Sequence, residues 1–133
     1  MRVGSLKKGG PDGTLVIVDK SLSRAMYAPC VGPSLREAIE NWDTSHELLK
    51  SAYGAAERDK WQSSFPLNHA EMASPLPRTF QFIDGSAYLS HMEKARKARG
   101  AEMPAAATSV PLMYQGVSDT FWPPKYEVPF SAE

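Results

Sequence analysis

The fold of the first half is decided by three consecutive segments at the N-terminus: Met1-Arg-Val-Gly-Ser-Leu6, Lys7-Lys-Gly-Gly-Pro-Asp-Gly13 and Thr14-Leu-Val-Ile-Val18. The two outer segments have the composition of strands, and the run between them is rich in residues that supply turns and positive φ angles. This order predicts a β-hairpin. A third candidate strand, Arg24 to Ala28, extends it into a small antiparallel meander with one face for a helix to cover.

A long helix is predicted over residues 34 to about 57. Ser34 stands three residues before Glu37, which is the spacing of a capping box. Residues at helical spacing follow it: Leu35, Ala38, Ile39, Trp42, His46, Leu49, Tyr53 and Ala56. We interpret Trp42 and Tyr53 as core residues and give His46 no catalytic role, because a histidine beside a core is more often structural.

Composition excludes several classes of protein. The 133 residues contain 15 Lys plus Arg and 15 Asp plus Glu, so no overall field draws the chain to nucleic acid or to an anionic membrane. Cys30 is the single cysteine and cannot form an intrachain disulfide. The longest apolar run, at residues 14–18, is far too short to cross a bilayer. We therefore expect a cytoplasmic protein with no nucleic-acid or membrane partner.

The second half begins after a proline-punctuated segment. Thr79-Phe-Gln-Phe-Ile83 alternates apolar and polar residues as a strand does, and Asp84-Gly-Ser86 predicts a tight turn into a helix from about Ser86 to Arg99. Gly100 is placed to close that helix. Pro111 to Gln115 is a further short strand. The predicted fold class is α+β, with a first domain at residues 1–73 and the start of a second at 74–133.

Tyr88, His91 and Glu93 lie within two turns at the start of this second helix and are the strongest candidates for chemistry. Tyr88 and His91 are i and i+3 neighbours on a helix, whereas Glu93 points to another side unless the turn is distorted. An imidazole beside a carboxylate can take a proton from water, as a hydrolase requires.

Three blocks of the sequence resemble the N-terminal part of the fumarylacetoacetate hydrolase family, in its bacterial branch. They are Gly13-Thr-Leu-Val-Ile-Val18 with Leu22-Ser-Arg-Ala25, the long block from Pro75 to Met103, and Pro111-Leu-Met-Tyr-Gln-Gly-Val-Ser-Asp119. The long block contains Phe82-Ile-Asp-Gly-Ser-Ala-Tyr-Leu-Ser-His-Met-Glu93 and is the most specific of the three.

The resemblance implies a hydrolase that cleaves carbon–carbon bonds in β-diketo acids of the acylpyruvate class and that uses Mg²⁺ or Ca²⁺. By resemblance, His91 activates water and Glu93 assists it, while Asp84 matches an aspartate ligand of the metal. Tyr88, Tyr114 and Gln115 correspond to residues that face the substrate. The resemblance also implies a homodimer.

The sequence departs from the family's pattern in one important respect. Family members continue into a β-rich fold whose Glu-x-Glu pair and later aspartate hold the metal, and these 133 residues contain no Glu-x-Glu. We therefore expect the isolated chain to be an inactive N-terminal part of such an enzyme. Two alternatives stay open, a non-catalytic binding or assembly module and a truncated remnant of the enzyme.

Overall fold

The computed structural model describes residues 1–86, 88–116 and 119–130. The chain divides into two compact units. The first comprises Met1–Thr79 and the described residues from Thr120 onward, and the second comprises Phe80–Asp119. The strands are β1 Arg2–Leu6, β2 Thr14–Val18, β3 Arg24–Tyr27, β4 Phe65–Pro66, β5 Ile83–Ser86 and β6 Leu112–Gln115. The helices are α1 Leu35–Glu40, α2 Trp42–Arg58 and α3 Leu89–Ala98, with a short 3-10 helix at His69–Glu71.

The predicted meander is confirmed, and one strand is added to it. β1 to β4 form an antiparallel sheet in sequence order. The turn between β1 and β2 uses Gly13 at a φ of 70°, where a Cβ would lie 2.7 Å from the Leu6 carbonyl oxygen. Glycine is therefore required there for both conformation and space.

Both faces of the sheet are covered, although the sequence predicted a helix on one face only. Leu15 and Ile17 of β2 pack with α1 and α2. Val16 and Val18, which alternate with them, pack on the other face beside Phe65, Leu67 and Met72. The uninterrupted apolar run of β2 is explained by this burial on both sides.

The predicted long helix is two consecutive helices, α1 and α2, with a break at Asn41. Ser34 caps α1, because its hydroxyl accepts a hydrogen bond from the Glu37 backbone N–H at 3.2 Å. Asn41 leaves helical geometry, with a φ of −113° and a ψ of 39°. Of the expected stripe, Leu35, Ala38, Leu49, Tyr53 and Ala56 are buried.

The prediction that Trp42 is a core residue is wrong. Its side chain is 46% exposed and stacks beside His46, with ring centroids 5.0 Å apart. Ile39, on the other side of the break, is 47% exposed. The non-helical dihedral angles of Asn41 interrupt the helical spacing between these two residues, so the stripe does not continue through them.

In the second unit, β5 and β6 form a two-stranded antiparallel sheet and α3 follows β5. The strand predicted at 79–83 is displaced, because pairing with β6 begins only at Ile83. The helix predicted to begin at about Ser86 begins at Leu89. Ala87, which falls within the predicted range, lies outside the described residues. Gly100 follows the end of the helix with a φ of 65°, as expected for a glycine that closes a helix.

Candidate functional site

The strand register of the second unit places two of the candidate residues side by side. Asp84 of β5 and Tyr114 of β6 are directly opposed, and the next pair is Ile83 with Gln115. Directly opposed residues in an antiparallel pair have side chains on the same face of the sheet. Asp84 and Tyr114 therefore share one face, and Gln115 lies on the other. All three are exposed.

Tyr88 and His91 are at the start of α3. Tyr88 is the N-cap residue, its carbonyl accepts a hydrogen bond from the His91 backbone N–H at 3.0 Å, and its side chain is 80% exposed. His91 is also exposed. The first turn of α3 therefore presents an aromatic hydroxyl and an imidazole, both accessible to solvent.

Glu93 is exposed on α3, two residues beyond His91. Between them lies Met92, which is 4% exposed and is the buried residue of this helix. Over the described part of the chain, the side chains of His91 and Glu93 make neither a hydrogen bond nor an ion pair. The structure therefore brings His91 near Tyr88 along the helix, but it does not pair His91 with Glu93.

The described residues do not form a metal centre. Residues 1–86, 88–116 and 119–130 contain no group of three or more His, Cys, Asp or Glu side chains that could hold an ion together. Magnesium and calcium require several oxygen ligands. Asp84 alone does not meet that requirement.

The first unit contains a feature that the sequence analysis missed. A groove of about 650 Å³ runs along β1 and is lined by residues from β1, β2, the 67–75 segment and Trp122. Its basic lining residues are Arg2 and His69. The lining comes from distant parts of the sequence, so no motif or spacing indicates the groove.

An ion-pair cluster also lies in the first unit. Asp12 accepts hydrogen bonds from Arg36 at 3.1 Å and from Arg78 at 2.8 and 3.0 Å. The hydrogen bonds from Arg78 and then Arg36 lower the pKa of Asp12 to about 2. This cluster joins the β1–β2 turn to α1 and to the end of the first unit's main segment, so we interpret it as structural.

Fold and sequence together define an α+β chain. Its first unit is a four-stranded sheet with two α-helices on one face, and its second unit carries the candidate residues. The sequence matches the family described as fumarylacetoacetase N-terminal domain 2 over residues 1–78, which is more than half of the chain. The chain belongs to this family. Comparison with curated proteins gives no match. Among the described helices, none combines the length and apolar character that a membrane span needs.

Proposed function

We propose that the protein is the N-terminal part of a metal-dependent hydrolase of the fumarylacetoacetate hydrolase type, from the bacterial branch of that family. Its substrates would be β-diketo acids of the acylpyruvate class, cleaved at a carbon–carbon bond. The observation that carries the proposal is the family match over residues 1–78, followed directly by the unit that bears the candidate residues.

In this proposal His91 takes a proton from the attacking water and Glu93 assists it. Both side chains are exposed and are not engaged by other described groups, so they are available to substrate. Tyr88 is available in the same way, one turn before His91. Tyr114 and Gln115 are the further proposed substrate contacts. They lie on opposite faces of the β5–β6 sheet, so one substrate molecule can contact only one of them from this sheet.

The proposed metal, Mg²⁺ or Ca²⁺, does not fit the described residues by themselves. Asp84 lies beside Tyr114 rather than beside a second carboxylate. A hard cation bound at Asp84 would need further oxygen ligands from another part of a longer protein. We therefore assign no step of the reaction to the metal here, and we expect the 133-residue chain alone to be inactive. A homodimer in the cytoplasm belongs to the same proposal.

A second candidate function is a non-catalytic binding or assembly module. It is favoured by one specific observation, namely that the matched residues 1–78 contain none of the candidate catalytic residues. The first unit also has its own core on both faces of its sheet. Under this alternative the first unit carries the function by binding, and the exposed residues of α3 have no chemical role.

Kinetics of the protein at its natural length separate the two functions. We expect the protein purified from its natural source to hydrolyse an acylpyruvate, to lose this activity with EDTA and to regain it with Mg²⁺ or Ca²⁺. His91→Ala should lower kcat by about 100-fold or more, since general base catalysis contributes at least that factor.

His46→Ala is the matched control, because His46 is also a helical histidine but lies in the first unit. It should leave kcat unchanged. Turnover that does not respond to His91→Ala would refute the catalytic assignment. Absence of turnover at natural length, with metal present, would favour the binding module.

A further inference from the structure

The groove in the first unit has an apolar body. Val3, Val18, Leu67 and Met72 line it, and Trp122 forms part of the wall with 53% of its side chain exposed. A volume of about 650 Å³ falls within the range of pockets that bind small organic molecules. The groove is therefore large enough for a ligand with an aliphatic or aromatic body.

The ionisable side chains that line the groove are basic. Arg2 and His69 are its ionisable lining residues, and no aspartate or glutamate from the described ranges lines it. A guanidinium nitrogen of Arg2 donates to the Lys20 carbonyl, and the Nε2 atom of His69 lies 3.2 Å from the Leu22 carbonyl oxygen. Both basic groups are thus held by the same loop.

That loop is itself well fixed. The Asp19 carboxylate accepts hydrogen bonds from the backbone N–H groups of Ser23 and Arg24, at 2.9 and 3.0 Å. Because the loop is fixed, the two basic side chains are positioned before any ligand binds, which lowers the entropic cost of binding. The Nη1 atom of Arg2 contacts the Asp19 and Lys20 carbonyls, whereas its Nε and Nη2 atoms have no hydrogen-bond partner among the described residues. These two atoms form the side of the guanidinium fork that suits a carboxylate.

A further polar group in the lining lacks a partner. The Ser74 hydroxyl oxygen is buried and has no hydrogen-bond partner among the described residues, whereas the Ser5 hydroxyl donates to the Pro75 carbonyl at 2.7 Å. Buried polar groups in folded proteins are nearly always hydrogen-bonded. Because the Ser74 hydroxyl is shielded from solvent, we assign it no contact with a ligand in the groove.

We propose that this groove binds a monocarboxylic acid with an apolar or aromatic body. The carboxylate is held by Arg2, and the body lies against Val18, Leu67 and Trp122. The proposal is independent of the proposed hydrolase function, because every lining residue belongs to the first unit. The binding experiment below can therefore support or refute it whether or not the protein has hydrolase activity.

Binding of phenylbutyrate and of the uncharged phenylbutanol, which has the same body, tests the proposal on the full chain. We expect phenylbutyrate to shift the amide NMR signals of residues 3–5 and 72–74 and the indole signal of Trp122. Calorimetry should give phenylbutanol at least about tenfold weaker affinity, which is the value of one charge-assisted hydrogen bond. Equal affinity, or no shift at these residues at millimolar ligand, would overturn the proposal.

Two variants identify the groups responsible. Arg2→Gln should weaken phenylbutyrate binding about tenfold and leave phenylbutanol binding unchanged. Lys20→Gln is the matched control, since Lys20 is a cation of the same loop that does not line the groove. Trp122→Ala should weaken both ligands. If dilution of the free protein moves the signals of these same residues, a second copy occupies the groove and the small-ligand proposal is wrong.

Discussion

Asp12 shows how one carboxylate holds together segments that are far apart in sequence. It lies in the β1–β2 turn and binds Arg36 of α1 and Arg78 near the end of the first unit's main segment. Arg78 contacts both carboxylate oxygens, in the paired geometry that a guanidinium favours. Arg36 is held in turn by Glu40 at 2.6 Å.

Replacement of Asp12 by Asn should lower the melting temperature in a pH-dependent manner. The pKa of Asp12 is lowered from its ordinary value of 3.8 to about 2. A carboxyl group whose folded-state pKa is depressed stabilises the fold above its unfolded pKa, and this stabilisation is lost as pH falls through the folded value. The difference in melting temperature between wild type and D12N should therefore be largest above about pH 5 and should be reduced to a small remainder near pH 2.

Thermal unfolding followed by circular dichroism from pH 2 to 7 provides the measurement. Asp59→Asn is the control, because Asp59 ends α2 and its carboxylate makes no ion pair among the described residues. It should change the melting temperature little at any pH. A D12N difference that persists undiminished at pH 2 would mean that packing, rather than charge, is responsible.

At the residue scale, local sequence predicted only local contacts. The Ser34 cap could be predicted because donor and acceptor are three residues apart. The Asp12 cluster could not, because its partners stand 24 and 66 residues away. The isolation of His91 from Glu93 also follows from local geometry, since residues two apart on a helix point in different directions. The positions of the candidate residues in the sequence could be predicted from local motifs. The pairing of Asp84 with Tyr114 could not, because these two residues are far apart in the sequence.

At the element scale, the break at Asn41 determines which side of the helices is buried. The Asn41 side-chain amide donates to the Glu37 carbonyl at 2.9 Å, while the Asn41 carbonyl accepts from Ser45 at 3.0 Å. Asn41 thus ends α1 and begins α2. The hydrophobic spacing alone predicted one helix, because asparagine is tolerated within helices and its role here depends on how each helix packs on the sheet.

Adjacent leucines of α2 provide a direct test of this packing. Leu49 is 0% exposed in the core beneath the sheet, and Leu48 is 37% exposed. Leu49→Ala should reduce the free energy of unfolding by about 2–5 kcal/mol, because it leaves a cavity. Leu48→Ala, the same change one residue away, should cost less than about 0.5 kcal/mol. Urea unfolding measures both, and similar losses for the two would contradict the assigned face of α2.

At the scale of the whole molecule, the two units differ in how much they bury. The first unit has apolar clusters on both faces of its sheet. In the described part of the second unit, Met92 is the one fully buried apolar side chain, and every residue of β6 is exposed. The α+β class was predictable because each element has a local pattern. The difference in burial between the two units could not be predicted, because burial depends on which surfaces pack together in the folded chain.

Hydrogen exchange should reveal this imbalance as a difference in local stability. The amides of Leu49 in α2 and of Ala95 in α3 both lie in helix interiors, so a difference between them reports the stability of the unit rather than the type of hydrogen bond. A two-stranded sheet with little buried surface is marginally stable in water. We expect the Leu49 amide to exchange at least about 100-fold more slowly, after correction for intrinsic rates. Equal protection of the two amides, measured with or without phenylbutyrate, would contradict this expectation. It would mean that the second unit is more stable than the exposure of its side chains indicates.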